Sequence, residues 1–162
     1  MQKSSLARYS LFITIILWGV LLGGMVYSHI VYFPPYLSDL PNSAIIVNGK
    51  YALSEGNFWM TIHPLLILSL NIALILNWKF KDRRSLILMT MTIYFIVLIC
   101  TALYFLPELG AFKASPTSNI SPAEWLDRGN RWQYLSWIRG SVMFVGILPL
   151  LMALTKATDL RK

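Results

Sequence analysis

The sequence predicts an all-α membrane protein, a four-transmembrane-helix bundle with a small extracytoplasmic β-hairpin and a short helical cap. Of its 162 residues, 56 % are hydrophobic and 13 % are charged, whereas about a quarter of an average soluble domain is charged. Four apolar runs are also long enough to cross a bilayer, which takes about 20 residues. They cover approximately residues 10–32, 58–78, 85–106 and 132–155. Because these runs leave little chain for a soluble part, we predict one integral membrane domain over residues 1–162.

The basic residues indicate how the helices are oriented. The net charge is +7, from 14 lysines and arginines against 7 aspartates and glutamates. Nine of the basic residues flank the runs on one side, which the positive-inside rule makes cytoplasmic. They are Lys3, Arg8, Lys79, Lys81, Arg83, Arg84, Lys156, Arg161 and Lys162. We therefore expect both termini in the cytoplasm, the two long loops outside, and no nucleic-acid partner.

The first run is a membrane helix rather than a signal peptide. It is longer than the apolar core of a signal peptide, and no Ala-x-Ala-like cleavage site follows it. With no targeting segment and with compact loops, we expect the chain in a bacterial inner membrane. Gly19 and Gly23 have a small-xxx-small spacing that lets helices approach closely in lipid, and Phe33-Pro34-Pro35 is expected to end the helix. Near that end, His29 is either a satisfied interfacial residue or a ligand or proton carrier.

The loop after the first run predicts the β-hairpin. Asn48-Gly49 stands between two β-prone segments, and this dipeptide favours a two-residue hairpin turn. We expect strands over about residues 44–47 and 50–53, lying across the outer mouth of the bundle. An isolated hairpin is marginal in water, so this one needs support from the helix ends or from the second loop.

The second and third runs carry ionisable side chains at their outer ends. Trp59 suits the aromatic belt of the membrane interface, and His63 lies about one and a half turns into the second helix. The third run finishes at Glu108. A carboxylate at a helix C-terminus opposes the helix dipole and needs a partner, for which Arg139 and Arg128 are the candidates.

A capping box marks the start of the fourth helix. Ser121, Pro122 and Glu124 occupy the N-cap, N1 and N3 positions with the residue types that helix starts prefer. A helix from 121 to 155 would begin outside the membrane and run about 35 residues. Alternatively, Gly129-Asn130 breaks it, and the spanning part begins near residue 132. The sequence leaves both possibilities open.

The fourth helix carries one polar and aromatic face. Trp132, Ser136 and Arg139 are spaced so that they share a helical stripe, which Trp125 and Arg128 extend if the helix is unbroken. Arg139 would lie about two turns, roughly 10 Å, inside the membrane entrance. A cation at that depth is a functional-site candidate. The alternatives are a structural ion pair and a side chain that reaches up to the lipid headgroups.

The predicted topology brings these outer polar residues together. We assign catalytic roles to His29, His63, Glu108 and Arg139, and substrate-binding roles to Tyr27, Trp59, Trp132, Ser136 and Arg128. His29, His63 and Glu108 are also candidate metal ligands, because two histidines and a carboxylate suit non-haem iron, and two histidines could hold copper, zinc or haem. A metal-free alternative uses a histidine as general base and Arg139 to stabilise an anionic intermediate. The sequence leaves the cofactor unknown.

Two short motifs resemble those of a known family. The third run ends in Leu106-Pro107-Glu108, and the fourth begins with Arg131-Trp132-Gln-Tyr-Leu135-Ser-Trp-Ile-Arg139. Together with the four-helix outline and the proline-rich end of the first run, they resemble the anthrone-oxygenase-like family of small membrane proteins, most of them of unknown function. The resemblance implies a four-helix membrane bundle and, for a few members, cofactor-independent oxygenation of polycyclic phenols.

We therefore predict a small-molecule site at the outer mouth, with oxidoreductase or oxygenase-like chemistry on a lipophilic quinone or phenol. The competing interpretation is a non-enzymatic membrane scaffold or subunit whose polar residues are structural. A transporter or channel is less favoured, because the runs carry few interior polar groups to line a path. No phosphate-binding glycine loop, Gly-x-Ser-x-Gly or His-Glu-x-x-His motif indicates another reaction class. The expected partners are the lipid bilayer and a lipophilic small molecule, and a homo-oligomer is left open.

Overall fold

The four-helix prediction is confirmed by a computed structural model, which describes residues 2–156. Four long helices run through the chain, and each is long and apolar enough to cross a membrane. These helices are compatible with a polytopic membrane protein. Arg161 and Lys162, two of the predicted flanking cations, lie outside the described residues, as does the side chain of Lys3.

Each long helix is called a span below, and three of the four are made of several helical pieces. Span 1 joins α1 (Gln2–Tyr27), a π-helical segment (Ser28–Tyr32) and α2 (Phe33–Leu37); span 2 is α3 (Gly56–Asn77). Span 3 joins α4 (Lys81–Cys100), a second π-helical segment (Thr101–Phe105) and α5 (Leu106–Lys113); span 4 joins α6 (Pro122–Gly146) and α7 (Leu148–Thr155). Spans 1, 3 and 4 therefore extend beyond the predicted apolar runs.

The prolines near the outer ends do not stop their helices. Pro34 and Pro107 each lie in the first turn of a new helical piece, α2 or α5. The residue before each proline donates its amide five residues back, from Phe33 to the Ser28 carbonyl and likewise in span 3. A proline ring crowds the turn that precedes it, and the wider π turn makes room for the ring. The expectation that Phe33-Pro34-Pro35 ends the first helix is therefore wrong.

The predicted β-hairpin is also wrong, since the described residues contain no strand. The first predicted strand overlaps a 3₁₀ helix, Asn42–Ile46. Ser43 anchors that helix, because its amide and hydroxyl donate to carbonyls in and just after α2. Gly49 does adopt the positive φ of a turn, +100°, but one backbone bond, from the Leu53 amide to the Ile46 carbonyl, links the two segments. The chain therefore turns at Gly49, but the residues before the turn form a 3₁₀ helix instead of a strand.

Span 4 continues through Gly129-Asn130, which settles where the helix begins. The Ser121 hydroxyl accepts from the Glu124 amide at 3.2 Å and caps α6. Gly129 is buried against α2, where an added Cβ would lie 3.3 Å from Leu37. This glycine therefore lets two helices approach closely instead of breaking one of them.

The interruption in span 4 lies near Pro149, which cannot donate a backbone hydrogen bond. α6 ends at Gly146, and α7 begins two residues later. Carbonyls beside the interruption accept from other spans: Trp18 Nε1 donates to the Met143 carbonyl at 3.0 Å, and Thr90 Oγ1 donates to the Gly146 carbonyl at 3.1 Å. In a membrane such side chains replace the water that would otherwise satisfy these groups.

A buried arginine forms hydrogen bonds that link several segments at one end of the bundle. Arg83 Nε and Nη2 donate to the Lys156 carbonyl at 3.1 and 2.7 Å, and Nη1 donates to Asn77 Oδ1 at 3.3 Å. Asn77 in turn donates to the Ala7 carbonyl at 2.9 Å. These bonds bring the start of α1, the turn between α3 and α4, and the end of α7 to the same end. The sequence indicated only a topology role for Arg83 and missed this one.

The bundle has an apolar interior and an apolar exterior. Trp18 and Tyr94 lie at the centre of the core, with ring centroids 5.5 Å apart. On the outward faces, Ile75 and Leu103 are 71 % and 77 % exposed, and many other large apolar side chains are exposed with them. Soluble proteins rarely expose contiguous apolar surface of this extent, so these faces suit lipid.

Candidate functional site

Side chains from both π-helical segments form hydrogen bonds with the polar face of α6. π turns are rare in proteins and often occur at functional sites. His29, in the first π segment, bonds to Ser136, and Thr101, in the second, bonds to Arg139. The two segments therefore converge on one part of α6, in the half of the bundle away from Arg83.

His29 is buried, and both of its ring nitrogens are hydrogen-bonded. Nδ1 lies 2.7 Å from the Met25 carbonyl oxygen, and Nε2 lies 2.8 Å from Ser136 Oγ. A carbonyl oxygen can only accept, so Nδ1 carries the proton. In the neutral imidazole Nε2 then offers a lone pair, which accepts from the Ser136 hydroxyl. The arrangement aims a basic nitrogen at α6.

Arg139 donates to the same serine. Its Nη2 lies 2.8 Å from Ser136 Oγ, its Nη1 lies 3.0 Å from Thr101 Oγ1, and its guanidinium carbon lies 4.0 Å from the centre of the Phe105 ring. Among the described residues no carboxylate is within ion-pair distance of this guanidinium. Arg139 is therefore a half-buried cation held by two neutral hydroxyls and a ring face, and the predicted ion pair does not form there.

Aromatic rings enclose the histidine in this chain of hydrogen bonds. The Trp132 ring is nearly parallel to the His29 ring, with centroids 6.3 Å apart, and Trp132 Nε1 donates to the Phe105 carbonyl at 3.2 Å. The Trp137 and Phe33 rings lie 4.8 and 5.6 Å from the imidazole. Flat apolar walls thus surround the polar chain from His29 through Ser136 to Arg139, which we call the His–Ser–Arg chain.

His63 belongs to a second polar cluster, on span 2. Its Nδ1 lies 2.7 Å from the Tyr94 hydroxyl, and its ring stacks on Trp59 at 5.7 Å. Trp59 Nε1 in turn donates to Glu55 Oε2 at 3.2 Å. His63 has a phenol as its hydrogen-bond partner and lies outside the His–Ser–Arg chain.

Glu108 lies apart from both clusters, in a pair with Arg128. Arg128 Nη2 lies 2.8 Å from Oε1 and Arg128 Nε lies 3.1 Å from Oε2, so the pair is bidentate. The guanidinium also lies over the Trp125 ring, 4.7 Å from its centre. Of the two candidate partners, Arg128 holds Glu108, and the pair joins α5 to α6 at the end of the bundle away from Arg83.

The three candidate metal ligands do not converge. His29 is bonded to Ser136, His63 to Tyr94 and Glu108 to Arg128. In the part of the chain that the structure describes, no group of three His, Cys, Asp or Glu side chains is close enough to hold a metal ion. These residues do not fit the two-histidine, one-carboxylate arrangement of a non-haem iron site.

Some site residues were missed, and Tyr27, like His63 and Glu108, lies elsewhere. Tyr27 is 60 % exposed and lines a groove beside α3 rather than the His–Ser–Arg chain. Thr101 donates to the Val97 carbonyl of its own helix at 2.8 Å and also accepts from Arg139. The sequence did indicate Trp137, because it lies within the motif from Arg131 to Arg139. No sequence signal existed for Thr101, because its role depends on the π segment.

Comparisons with known proteins show no relative. No family model, no curated protein and no solved structure matches this chain. Membership of the anthrone-oxygenase-like family therefore stays a prediction that rests on the two short motifs. Function is therefore inferred from the geometry of the chain's own residues.

Proposed function

We propose that this protein lies in a bacterial inner membrane with both termini in the cytoplasm. It binds a lipophilic phenol or quinone at the His–Ser–Arg chain and acts on that ligand as an oxidoreductase or oxygenase. One observation carries the proposal. A half-buried guanidinium without a carboxylate partner in the described residues is joined through one hydroxyl to the lone pair of an imidazole. Ionisable groups within membrane helices are costly, and most of them mark binding or proton-transfer sites.

The Ser136 oxygen marks the position that a substrate oxygen would take. It lies 2.8 Å from both Arg139 Nη2 and His29 Nε2. A phenol that displaces the serine hydroxyl would accept from the guanidinium there while facing the imidazole lone pair. Its O–H bond breaks, the proton passes to Nε2, and the phenolate oxygen stays bonded to Arg139. A quinone oxygen, which can only accept, would bind to Arg139 at the same position.

The oxygenase form of the proposal adds dioxygen as the oxidant. For a polycyclic phenol that also carries a ketone across the central ring from a CH₂ group, His29 would remove a proton from the CH₂ and leave a carbanion delocalised onto the ketone oxygen, to which Arg139 would donate. Dioxygen then attacks that carbon, and conversion of CH₂ to C=O consumes one O₂ and releases one water. The rings of Phe33, Trp132 and Trp137 suit a flat substrate, and the family resemblance supports the same chemistry.

The competing proposal is a non-enzymatic membrane scaffold or subunit. In its favour, nearly all buried side-chain nitrogen and oxygen atoms have a hydrogen-bond partner. Among the described residues, only Ser115 Oγ and Trp125 Nε1 are buried without one. His29 and Ser136 are also closed off from the surroundings. A substrate reaches them only if a side chain moves, and Trp137, which is 38 % exposed and contacts His29, is in the position to do so.

Ligand binding by the purified protein in lipid nanodiscs separates the two proposals. The probes are 1-naphthol and 1,4-naphthoquinone, followed by thermal shift and by quenching of tryptophan fluorescence. Arg139→Gln removes the cation, and we expect affinity for both probes to fall at least about tenfold, as for loss of a charge-assisted hydrogen bond. Arg131→Gln is the matched control, because Arg131 is exposed on the same helix two turns earlier; its affinity should equal that of the wild type.

Two outcomes would contradict the small-molecule site. Either the wild-type protein binds neither probe, or Arg139→Gln binds both as tightly as Arg131→Gln does. Both results favour the scaffold. Dioxygen uptake in the presence of anthrone, a polycyclic substrate with a CH₂ between its rings, then separates an oxygenase from a binding protein, since His29→Gln should abolish uptake while retaining probe binding.

A further inference from the structure

A groove opens between α1 and the start of α3, on the opposite side of span 1 from His29. Its volume is about 520 Å³, and its walls are mostly apolar. Val20 and Tyr27 mark its length along α1, which is seven residues or about 10 Å. Ser28 and Glu55 place polar atoms at its outer end, and Phe58 forms part of the wall contributed by α3.

Two adjacent glycines shape this groove in different ways. A Cβ added to Gly24 would lie 2.4 Å from the Phe58 ring, so Gly24 lets α3 pack against α1. A Cβ added to Gly23 would meet nothing within 4 Å. Gly23 therefore faces open space inside the groove, and a larger side chain at that position would fill the groove without displacing a neighbour.

Glu55 is the one ionisable acid or base on the groove wall apart from the Tyr27 phenol. Its Oε1 accepts from the Ser28 hydroxyl at 2.5 Å, and its Oε2 accepts from Trp59 Nε1 at 3.2 Å. A carboxylate can accept about four hydrogen bonds, so capacity remains on both oxygens. In residues 2–156 no lysine or arginine lies within ion-pair distance of Glu55.

We propose that the groove binds an amphiphile with an ammonium head and a single alkyl chain, the ammonium on Glu55 and the chain along Gly23 towards Val20. A partly buried carboxylate without a cationic partner favours a positively charged donor. The apolar walls are about 10 Å long and favour an alkyl chain of at least that length. Among the residues that the structure describes, no lysine or arginine lines the groove, so an anionic head would face Glu55 without a counter-charge. This site is independent of the His–Ser–Arg chain.

Native mass spectrometry of the detergent-purified full chain tests the proposal with three C₁₂ probes: dodecylammonium, dodecanol and dodecanoate. We expect wild-type protein to bind one dodecylammonium at least about tenfold more tightly than either of the others. Glu55→Gln keeps an oxygen that can accept from Trp59 Nε1 and has an NH₂ group that can donate to the Ser28 hydroxyl, but it removes the charge and should abolish that preference. Gly23→Leu should reduce binding of dodecylammonium itself by a similar factor.

Gly19→Leu is the matched control for the glycine substitution. A Cβ at Gly19 also meets nothing within 4 Å, and Gly19 lies one turn earlier on α1, outside the groove lining. Its binding should equal that of the wild type. Equal binding of all three probes would overturn the proposal, as would unchanged dodecylammonium binding in Gly23→Leu. If Glu55→Gln fails to fold, the comparison between Gly23→Leu and Gly19→Leu still decides whether the groove is the site.

Discussion

The Ser136 hydroxyl accepts from Arg139 and donates to His29, so two ionisable side chains depend on one oxygen atom. Neither side chain has a water-exposed alternative, because His29 and Ser136 are buried and Arg139 is half-buried. Inside a membrane an unmatched polar group costs more than a good hydrogen bond contributes. The serine therefore supports both of its neighbours, whichever function the cluster has.

Ser136→Ala should destabilise the protein by about 1–3 kcal/mol, since it leaves a guanidinium N–H and an imidazole nitrogen without their shared partner. The measurement is reversible unfolding in mixed micelles as the denaturing detergent is increased. Ser141→Ala is the control, because Ser141 is exposed on the same helix and bonds only to the Trp137 carbonyl of its own turn. It should change stability by less than about 0.5 kcal/mol. Equal losses for both variants would show that the shared hydroxyl has no special contribution.

Spans 1 and 3 share the same local arrangement of helical pieces. In spans 1 and 3 a five-residue π segment precedes a proline, and in each span the outer piece continues as α helix. A π turn changes the rotation of everything that follows it by adding a residue to the turn. His29 and Thr101 lie in these segments and not in regular helix, and for this reason both reach α6.

Close packing at the interruption of span 4 predicts a sensitive glycine. A Cβ on Gly146 would lie 2.9 Å from the Trp18 ring and 3.2 Å from Ile93, and Trp18 cannot rotate away without losing its bond to the Met143 carbonyl. Gly146→Ala should therefore destabilise the fold by about 1–3 kcal/mol, the usual cost of overpacking. Gly19→Ala, whose Cβ meets open space on α1, should be neutral or slightly stabilising. Thermal unfolding of both variants in detergent checks this, and a stable Gly146→Ala would contradict it.

The two ends of the molecule differ in charge and in construction. One end gathers Arg83, Asn77 and the Lys156 carbonyl together with the flanking cations of the short turn between α3 and α4. The other end carries the loops, the Glu108–Arg128 pair and a cluster of buried aromatic rings. The apolar faces lie between them, and the cationic end is the one that the positive-inside rule places in the cytoplasm.

Maleimide labelling of intact bacterial cells tests that orientation. Cys100 is the single cysteine, so Cys100→Ala provides a background for one new cysteine at a time. Lys50→Cys, in the first loop, should react with a membrane-impermeant maleimide in intact cells. Lys79→Cys, in the turn between α3 and α4, should react only after the membrane is opened. Both positions are exposed, and the reverse pattern would place the termini outside.

The number of spans and their approximate positions follow from the amino-acid sequence, as do the start of α6 at Ser121 and the common face of Trp132, Ser136 and Arg139. Each depends on a local property: the length of an apolar run, the chemistry of a helix cap or the period of a helix. The hairpin was predicted from equally local signals and failed. The hydrogen bonds of Ser43 to residues around α2 hold the predicted first strand in a 3₁₀ helix. The Asn48-Gly49 dipeptide carries no information about those bonds.

Only the tertiary structure decided which side chains are partners. Glu108 pairs with Arg128, 20 residues away, and His29 bonds to Ser136, 107 residues away. His63 bonds to Tyr94 and belongs to neither pair. These choices depend on the relative rotation and depth of the spans. The two π segments alter that rotation part-way along spans 1 and 3, so a pattern read as regular helix places the parts of these spans that follow the π segments at the wrong angle.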